Sequence, residues 1–226
     1  MLLRICAGIA LLFVASLSSQ SAVLIPQNSS WKYLKGLSEA SAPDNAAWRS
    51  VDFDDSTWPA ASTPFWYGDA QPTTGTQLTD MRGRYTCIFL RKSFQLTDPA
   101  QTSALQLGAV SDDGFIAWIN GAEVARYNMP EDAVPFNGIS LPALAEPLPF
   151  ETFLISAPAS FLVGGTNILA IQAFNENLTN STDFVINASL TGIVDETPPA
   201  VTALIPPDGA AVRTLPEIEI HFSEPV

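Results

Sequence analysis

Histidine, basic residues and cysteine are all scarce in this sequence, and each shortage removes a class of chemistry. There is one histidine, His221. A His-ligated zinc site, a Ser-His-Asp triad and a Cys-His dyad each need an imidazole beside the reacting atoms, so most enzyme templates are excluded from the rest of the chain. Lys and Arg number 10 against 23 Asp and Glu, a net charge of −13. Neutralising phosphates takes clustered cations, which makes nucleic acid and anionic membrane surfaces poor partners. Of the two cysteines, Cys6 lies in an N-terminal leader, and Cys87 alone cannot form an intrachain disulfide. Cys87 sits in an apolar, strand-like run and reads as a buried core thiol rather than a nucleophile.

What the chain has is apolar surface, at 47% hydrophobic residues with 13 Phe, 5 Trp and 4 Tyr, enough for a real core. Residues 1–22 carry one early cation, Arg4, an apolar run over 5–17 and a polar, small-residue end at Ala22. This is the pattern of a secretory signal peptide, and the run of about 13 residues is short of the roughly 20 that span a bilayer. The expectation is export to the medium or cell surface, cleavage near Ala22, and no membrane insertion thereafter.

From Ser30 onward no helical period is sustained. Short alternating runs separated by Gly, Pro, Asn and Asp recur, which predicts an all-β sandwich or barrel. Strands are expected over 84–94, 105–110, 115–119, 122–127, 150–155, 168–174 and 183–190. Asn120-Gly121 suits a type I′ hairpin turn, where both central residues need positive φ. Phe115, Ala117 and Ile119 on one face of their strand and Ile116 and Trp118 on the other predict a strand covered from both sides. The 183–190 strand alternates Phe184, Ile186, Ala188 and Leu190 against Val185, Asn187 and Ser189, one face in and one face out. Two long stretches break the rhythm: 42–77, aromatic enough to form an ordered cover over one end of the sandwich, and 129–149, expected to be a mobile excursion. After a linker at 193–199 a new pattern starts, in which Ile218, Ile220 and Phe222 alternate with Glu217, Glu219 and His221. Two strands cannot bury both faces, so 200–226 is expected to be the truncated start of a further domain, with His221 facing solvent.

Several ordered motifs carry a family resemblance across about residues 31–192. They are Trp48-Arg49-Ser50-Val51-Asp52-Phe53-Asp54-Asp55-Ser56-Thr57-Trp58, Tyr67-Gly68-Asp69, Phe89-Leu90-Arg91-Lys92-Ser93-Phe94, Ser111-Asp112-Asp113-Gly114 with Trp118-Ile119-Asn120-Gly121, Arg126-Tyr127-Asn128-Met129-Pro130, and Gly165-Thr166-Asn167-Ile168 followed by Ser181-Thr182-Asp183. Together they resemble the galactose-binding-like jelly roll found in large exported bacterial multidomain proteins. Thr197-Pro198-Pro199 and Phe222-Ser223-Glu224-Pro225-Val226 resemble the opening of a bacterial immunoglobulin-like domain. The resemblance implies a jelly-roll β-sandwich over 30–192, an incomplete immunoglobulin-like segment, and the other domains of the same chain as partners. Where many relatives have a His in the strand around 170–175, this chain has Ala173 and Phe174.

No catalytic residue is assigned. Two functions fit: a non-catalytic carbohydrate-recognition or adhesion module whose partner is a polysaccharide or glycan, and a structural spacer without ligand. The candidate ligand residues are Trp66, Tyr67 and Asp69, because a pyranose face stacks on an aromatic ring while a carboxylate accepts its hydroxyls. Arg126 and Asn128 flank a loop that could line the same end. Asp112 and Asp113 admit two readings, a calcium site of hard oxygen ligands or a tight turn in which Gly114 supplies positive φ.

Overall fold

The computed structural model describes residues 19–68, 74–142, 148–195, 200–210 and 218–222. The alternating runs become strands: β1 (Ser19–Ile25), β2 (Ser30–Lys35), β3 (Ala60–Ser62), β4 (Phe65–Gly68), β5 (Thr76–Gln77), β6 (Cys87–Leu96), β7 (Thr102–Asp112), β8 (Gly114–Ile119), β9 (Ala122–Tyr127), β10 (Glu151–Ser156), β11 (Gly165–Phe174) and β12 (Asp183–Asp195). They form two sheets. One runs β10-β7-β12-β4-β5, with β1 also on β12, and the other runs β3-β2-β6-β11-β8-β9. Because side chains alternate across a strand, each inner strand contributes every second residue to the layer between the sheets. From the second sheet come Ile88, Leu90, Phe115, Ala117, Leu169 and Ile171; from the first come Phe65, Leu105, Leu107, Phe184, Ile186 and Leu190. The fold is an all-β sandwich. The compact unit comprises Gln20–Asp195, so β1, with Ile25 buried, belongs to the sandwich that the sequence pattern started at Ser30.

The second sheet is apolar on both faces, as β8 predicts, and its outer face needs a cover. The 42–58 part of the aromatic stretch provides it. This segment lies across the sheet face and does not cap one end of the sandwich. Trp48, on a single 3₁₀ turn (Ala47–Arg49), is fully buried and meets Phe89 and Trp118 edge-on at 5.0 and 5.6 Å. Trp58, Cys87, Ile116, Ile168, Ala170 and Phe174 complete this second core. Burying a large aromatic here contributes on the order of 2–3 kcal/mol.

A single cation fastens the cover to the sheet. Arg91, on β6, points outward beneath the loop and is 2% exposed. Its Nε donates to Asp55 at 2.8 Å, Nη1 donates to the carbonyls of Trp48 and of Ser50 (3.0 Å), and Nη2 donates to Phe53 O at 3.3 Å. A loop that buries aromatics also buries its own carbonyls, and the fixed fork of a guanidinium can satisfy several at once.

The 129–149 stretch is not an excursion over its described part. Thr86 Oγ1 donates to Gly138 O at 2.6 Å, Ser140 N to Asn175 O at 3.2 Å, and Leu141 N to Asn128 O at 3.0 Å. Val134 and Phe136 pack on the second core. The Asn120-Gly121 turn has φ of 51° and 89°, as expected.

Beyond the sandwich, β13 (Val201–Ile205) pairs antiparallel with β14 (Glu219–Phe222), and every residue of both is exposed. His221 faces solvent, 3.4 Å from Glu219.

Replacing Arg91 by Met strands the loop carbonyls and the Asp55 carboxylate. The expected loss is about 3 kcal/mol of unfolding free energy, with Asp55→Asn costing about 1 kcal/mol because that carboxylate is partly solvated. Urea denaturation of the two variants measures both; an Arg91→Met chain within about 0.5 kcal/mol of the parent contradicts the clamp.

Candidate functional site

The residues singled out in the sequence fall in three places. On β4 the alternation is Phe65 and Tyr67 inward, Trp66 and Gly68 outward. Tyr67 is buried and stacks on Phe184 at 6.4 Å, and its hydroxyl accepts from Asn175 Nδ2 and donates to Ser181 O at 3.4 Å. Burial raises its pKa. Trp66 is half-buried on the opposite face of the sheet. Adjacent strand residues cannot face one ligand together, so the Trp66 and Tyr67 platform is not formed. Asp69 lies outside the described residues.

Arg126 and Asn128 are structural ties. Arg126 makes a two-point pair with Glu123, with Nε on Oε1 and Nη2 on Oε2 at 2.8 Å each, and it also donates to Pro130 O and, at 3.3 Å, to Asp132 O. Asn128 Nδ2 is shared among the carbonyls of Asp113 (3.3 Å), Leu141 (3.3 Å) and Pro142 (3.2 Å). Both side chains are occupied in holding the segment that follows β9.

Asp112 ends β7 and Asp113 makes the bend into β8, and both are buried. The Asp113 amide donates to Phe174 O at 3.1 Å, and its Oδ2 accepts the Glu176 amide at 2.6 Å. Burial moves the Asp113 carboxyl above the usual carboxylate range, opposed by the Glu176 amide and by a hydrogen bond with Asp112. Calcium takes six to eight oxygen ligands. Among the described residues no group of three or more His, Cys, Asp or Glu side chains could hold a metal. The pair forms the corner between β7 and β8, where the Asp113 carboxylate takes the Glu176 amide. Gly114 does not supply a positive φ there. It admits close approach, since a Cβ at that position would lie 2.7 Å from Asn128 O and from Met129 Sδ.

Cys87 is fully buried, its Sγ donates to Phe136 O at 3.1 Å, and desolvation pushes its pKa up to about 12. It is a core thiol, as its apolar run predicts.

A site the sequence reading missed lies on the outer side of the second sheet. The β2–β6 ladder runs over Lys32–Lys35 against Ile88–Arg91. On its other edge β2 pairs with β3 through Ser30, Trp31 and Lys32, and on its other edge β6 pairs with β11. The β2–β6 ladder stops at Lys32 and Arg91, and a groove of about 370 Å³ lies at its end. Its lining includes Ser30, Lys32, Lys92 and Ser93 together with Val51, Phe53 and Ile168. Lys92 Nζ donates to Ser30 O at 2.7 Å, linking β6 to β2, and Lys32 Nζ donates to Trp58 O at 2.9 Å. Asp55 also lines the groove, paired with Arg91. The available signal was Arg91-Lys92 in a chain poor in cations. Pairing it with Lys32 requires knowing that β2 lies beside β6.

No protein-family model and no curated protein matches this chain. Among solved structures, similarity is found to a calcium-binding mutant of Bacteroides uniformis beta-glucuronidase 2, at 19% identity over 77% of this chain and 18% of that one, with a TM-score of 0.45. It is also found to Bifidobacterium dentium beta-glucuronidase complexed with coumarin-3-O-glucuronide, at 14% identity over 85% and 32%, TM-score 0.48. A beta-glycosidase from Bacteroides vulgatus gives 14% identity over 81% and 21%, TM-score 0.42. The chain spans a third or less of the length of each of these proteins.

The Asp113 carboxyl yields a pH prediction. A folded pKa above the unfolded value near 3.8 means a stabilising contribution that is complete below that value and is lost as pH rises through the folded one. Asp113→Asn keeps an acceptor for the Glu176 amide and cannot ionise. Relative to the parent, this variant is expected to gain stability as pH is raised from 4 to 7, read by urea unfolding at both values. A difference that is independent of pH would show that Asp113 ionises in the folded state as it does in the unfolded chain.

Proposed function

We propose that the sandwich is a non-catalytic carbohydrate-recognition or adhesion module of a larger exported multidomain protein, and that it binds through the groove between β2 and β6. The observation that carries the reading is the composition of that groove: serine and lysine side chains beside Phe53 and aliphatic residues in its lining, and a volume within the roughly 300–1,000 Å³ of small-molecule sites. A sugar ring asks for this combination, an apolar C–H face against an aromatic ring and hydroxyls toward polar groups. The galactose-binding-like jelly roll suggested by the sequence motifs is consistent with the two-sheet architecture.

A binding role is favoured over catalysis by the fate of the reactive side chains. His221 lies outside the sandwich, and the Cys87 thiol is buried and held protonated. Asp112 and Asp113 are enclosed, whereas glycoside hydrolysis by two carboxyls needs them to flank an open cleft. Export rests on the leader-like residues 1–22, and the multidomain setting rests on β13 and β14, a strand pair with no buried residue of its own.

The second reading, a spacer that positions neighbouring domains, is favoured by one observation. Tyr67, Arg126, Asn128 and Asp113, the polar groups at the sandwich end, are all engaged in internal hydrogen bonds.

Titration of the protein against a panel of neutral and acidic polysaccharides separates the two. The module reading expects saturable binding to at least one of them, weakened about tenfold in Phe53→Leu, which keeps apolar bulk but removes the ring face. Failure to bind any of the panel leaves the spacer.

A further inference from the structure

The edge of a β-sheet carries a row of unpaired amides and carbonyls, and soluble proteins keep such rows from pairing with other chains by shortening, charging or bulging the strand. Among the described residues, the sandwich uses these devices at every edge but one. In the second sheet, β3 has three residues, and β9 carries a register shift opposite Ala117 and Trp118 together with the two-point pair of Glu123 and Arg126. In the first sheet, β5 has two residues, and of β1 only residues 23–25 lie beyond the leader-like stretch 1–22. The exception is β10. It has six residues, runs in unbroken register with β7, and contains no proline and no charge after Glu151. Beyond that ladder its backbone makes no hydrogen bond with another described residue. Thr152, Leu154 and Ser156 point outward, and Leu154 is 64% exposed.

We propose that β10 is a docking edge for a second copy of this chain, which adds its own β10 antiparallel so that the first sheets of two sandwiches continue as one. The sequence of the strand selects this occupant. Residues opposite each other in an antiparallel pair point to the same face. With Leu154 on the two-fold axis, it meets Leu154 of the second copy on the outer face, Thr152 meets Ser156, and Phe153 meets Ile155 on the core side. Apolar residues then face apolar ones and polar residues face polar ones. The charge agrees. Each chain carries a net −13, yet residues 152–156 are uncharged, and the two Glu151 carboxylates fall at opposite ends of the ladder, outside the paired residues. Centring the pair on Thr152 or on Phe153 would instead set Glu151 against Phe153 or Ile155. One short ladder is a small interface, so the dimer is expected to be weak, dissociating in roughly the 10–100 μM range. The groove belongs to the second sheet, so pairing of the first sheets leaves it uncovered.

Sedimentation velocity on the whole chain, from about 1 μM to about 1 mM, is expected to show a monomer–dimer equilibrium. Because two acidic chains repel, added salt is expected to strengthen the dimer. Leu154→Lys sets like charges opposite each other at the axis and is expected to weaken association at least tenfold, whereas Val23→Lys, on the exposed part of β1, leaves it unchanged. Cross-linking reads the register. In a Cys6→Ser background, where the buried Cys87 is the remaining thiol, Leu154→Cys is expected to give a disulfide-linked dimer on mild oxidation. Thr152→Cys and Ser156→Cys are each expected to fail to cross-link alone and to cross-link when mixed. A chain that stays monomeric over the whole range, with Leu154→Cys cross-linking no faster than Val23→Cys, overturns the proposal. So does a dimer that Leu154→Lys leaves intact or that Val23→Lys abolishes. If Leu154→Lys does not fold, the cross-linking pattern decides.

Discussion

The Arg91 guanidinium is the contact on which the outer half of the molecule depends. A β-sheet apolar on both faces must be covered twice, and here the second cover is a loop with almost no regular structure. A loop brings carbonyls with it, and they lose water when its aromatics go under. Arg91 receives three of them and the Asp55 carboxylate through one rigid group, so Trp48 and Trp58 can be buried without leaving those acceptors unpaired. Lysine, with one point of charge on a flexible stem, could not reach all four in fixed directions.

The same clamp shapes the groove. Phe53 and Asp55 line it because the loop is held against β6, and the groove lies where the β2–β6 ladder ends at Lys32 and Arg91. The loop that protects the outer face of the sheet therefore also lines its concave feature. The end of the sandwich is used differently: Asp113, Asn128, Asn175 and Tyr67 lock neighbouring segments to one another there.

How far the site could be read in advance follows from the range of each signal. Alternation is local, so the faces of β8 and β12 and the Asn120-Gly121 turn were legible in the sequence, as was the burial of Cys87. The platform expected at Trp66 and Tyr67 fails for a local reason as well. Two adjacent aromatics in a strand point to opposite faces, and only a loop conformation would have turned both rings one way. Arg126 and Asn128 stand beside a loop as expected, but the loop folds back and takes up their donors. Lys32 and Lys92 are sixty positions apart, and nothing in their immediate neighbourhoods connects them.

By itself the sequence determined the fold class, the two-faced character of the central strand, the near absence of imidazole chemistry, and the acidic balance against which any basic site must be judged. These follow from composition and from a side-chain period of two, which hold wherever the strand is placed. Only the tertiary structure decided where the aromatic cover lies, that the carboxyl pair at β7 is enclosed and carries a raised pKa, and that two lysines share one groove. Each of those depends on which strand lies beside which. Strand order is set by contacts between residues far apart in the chain, and a local pattern holds no record of them.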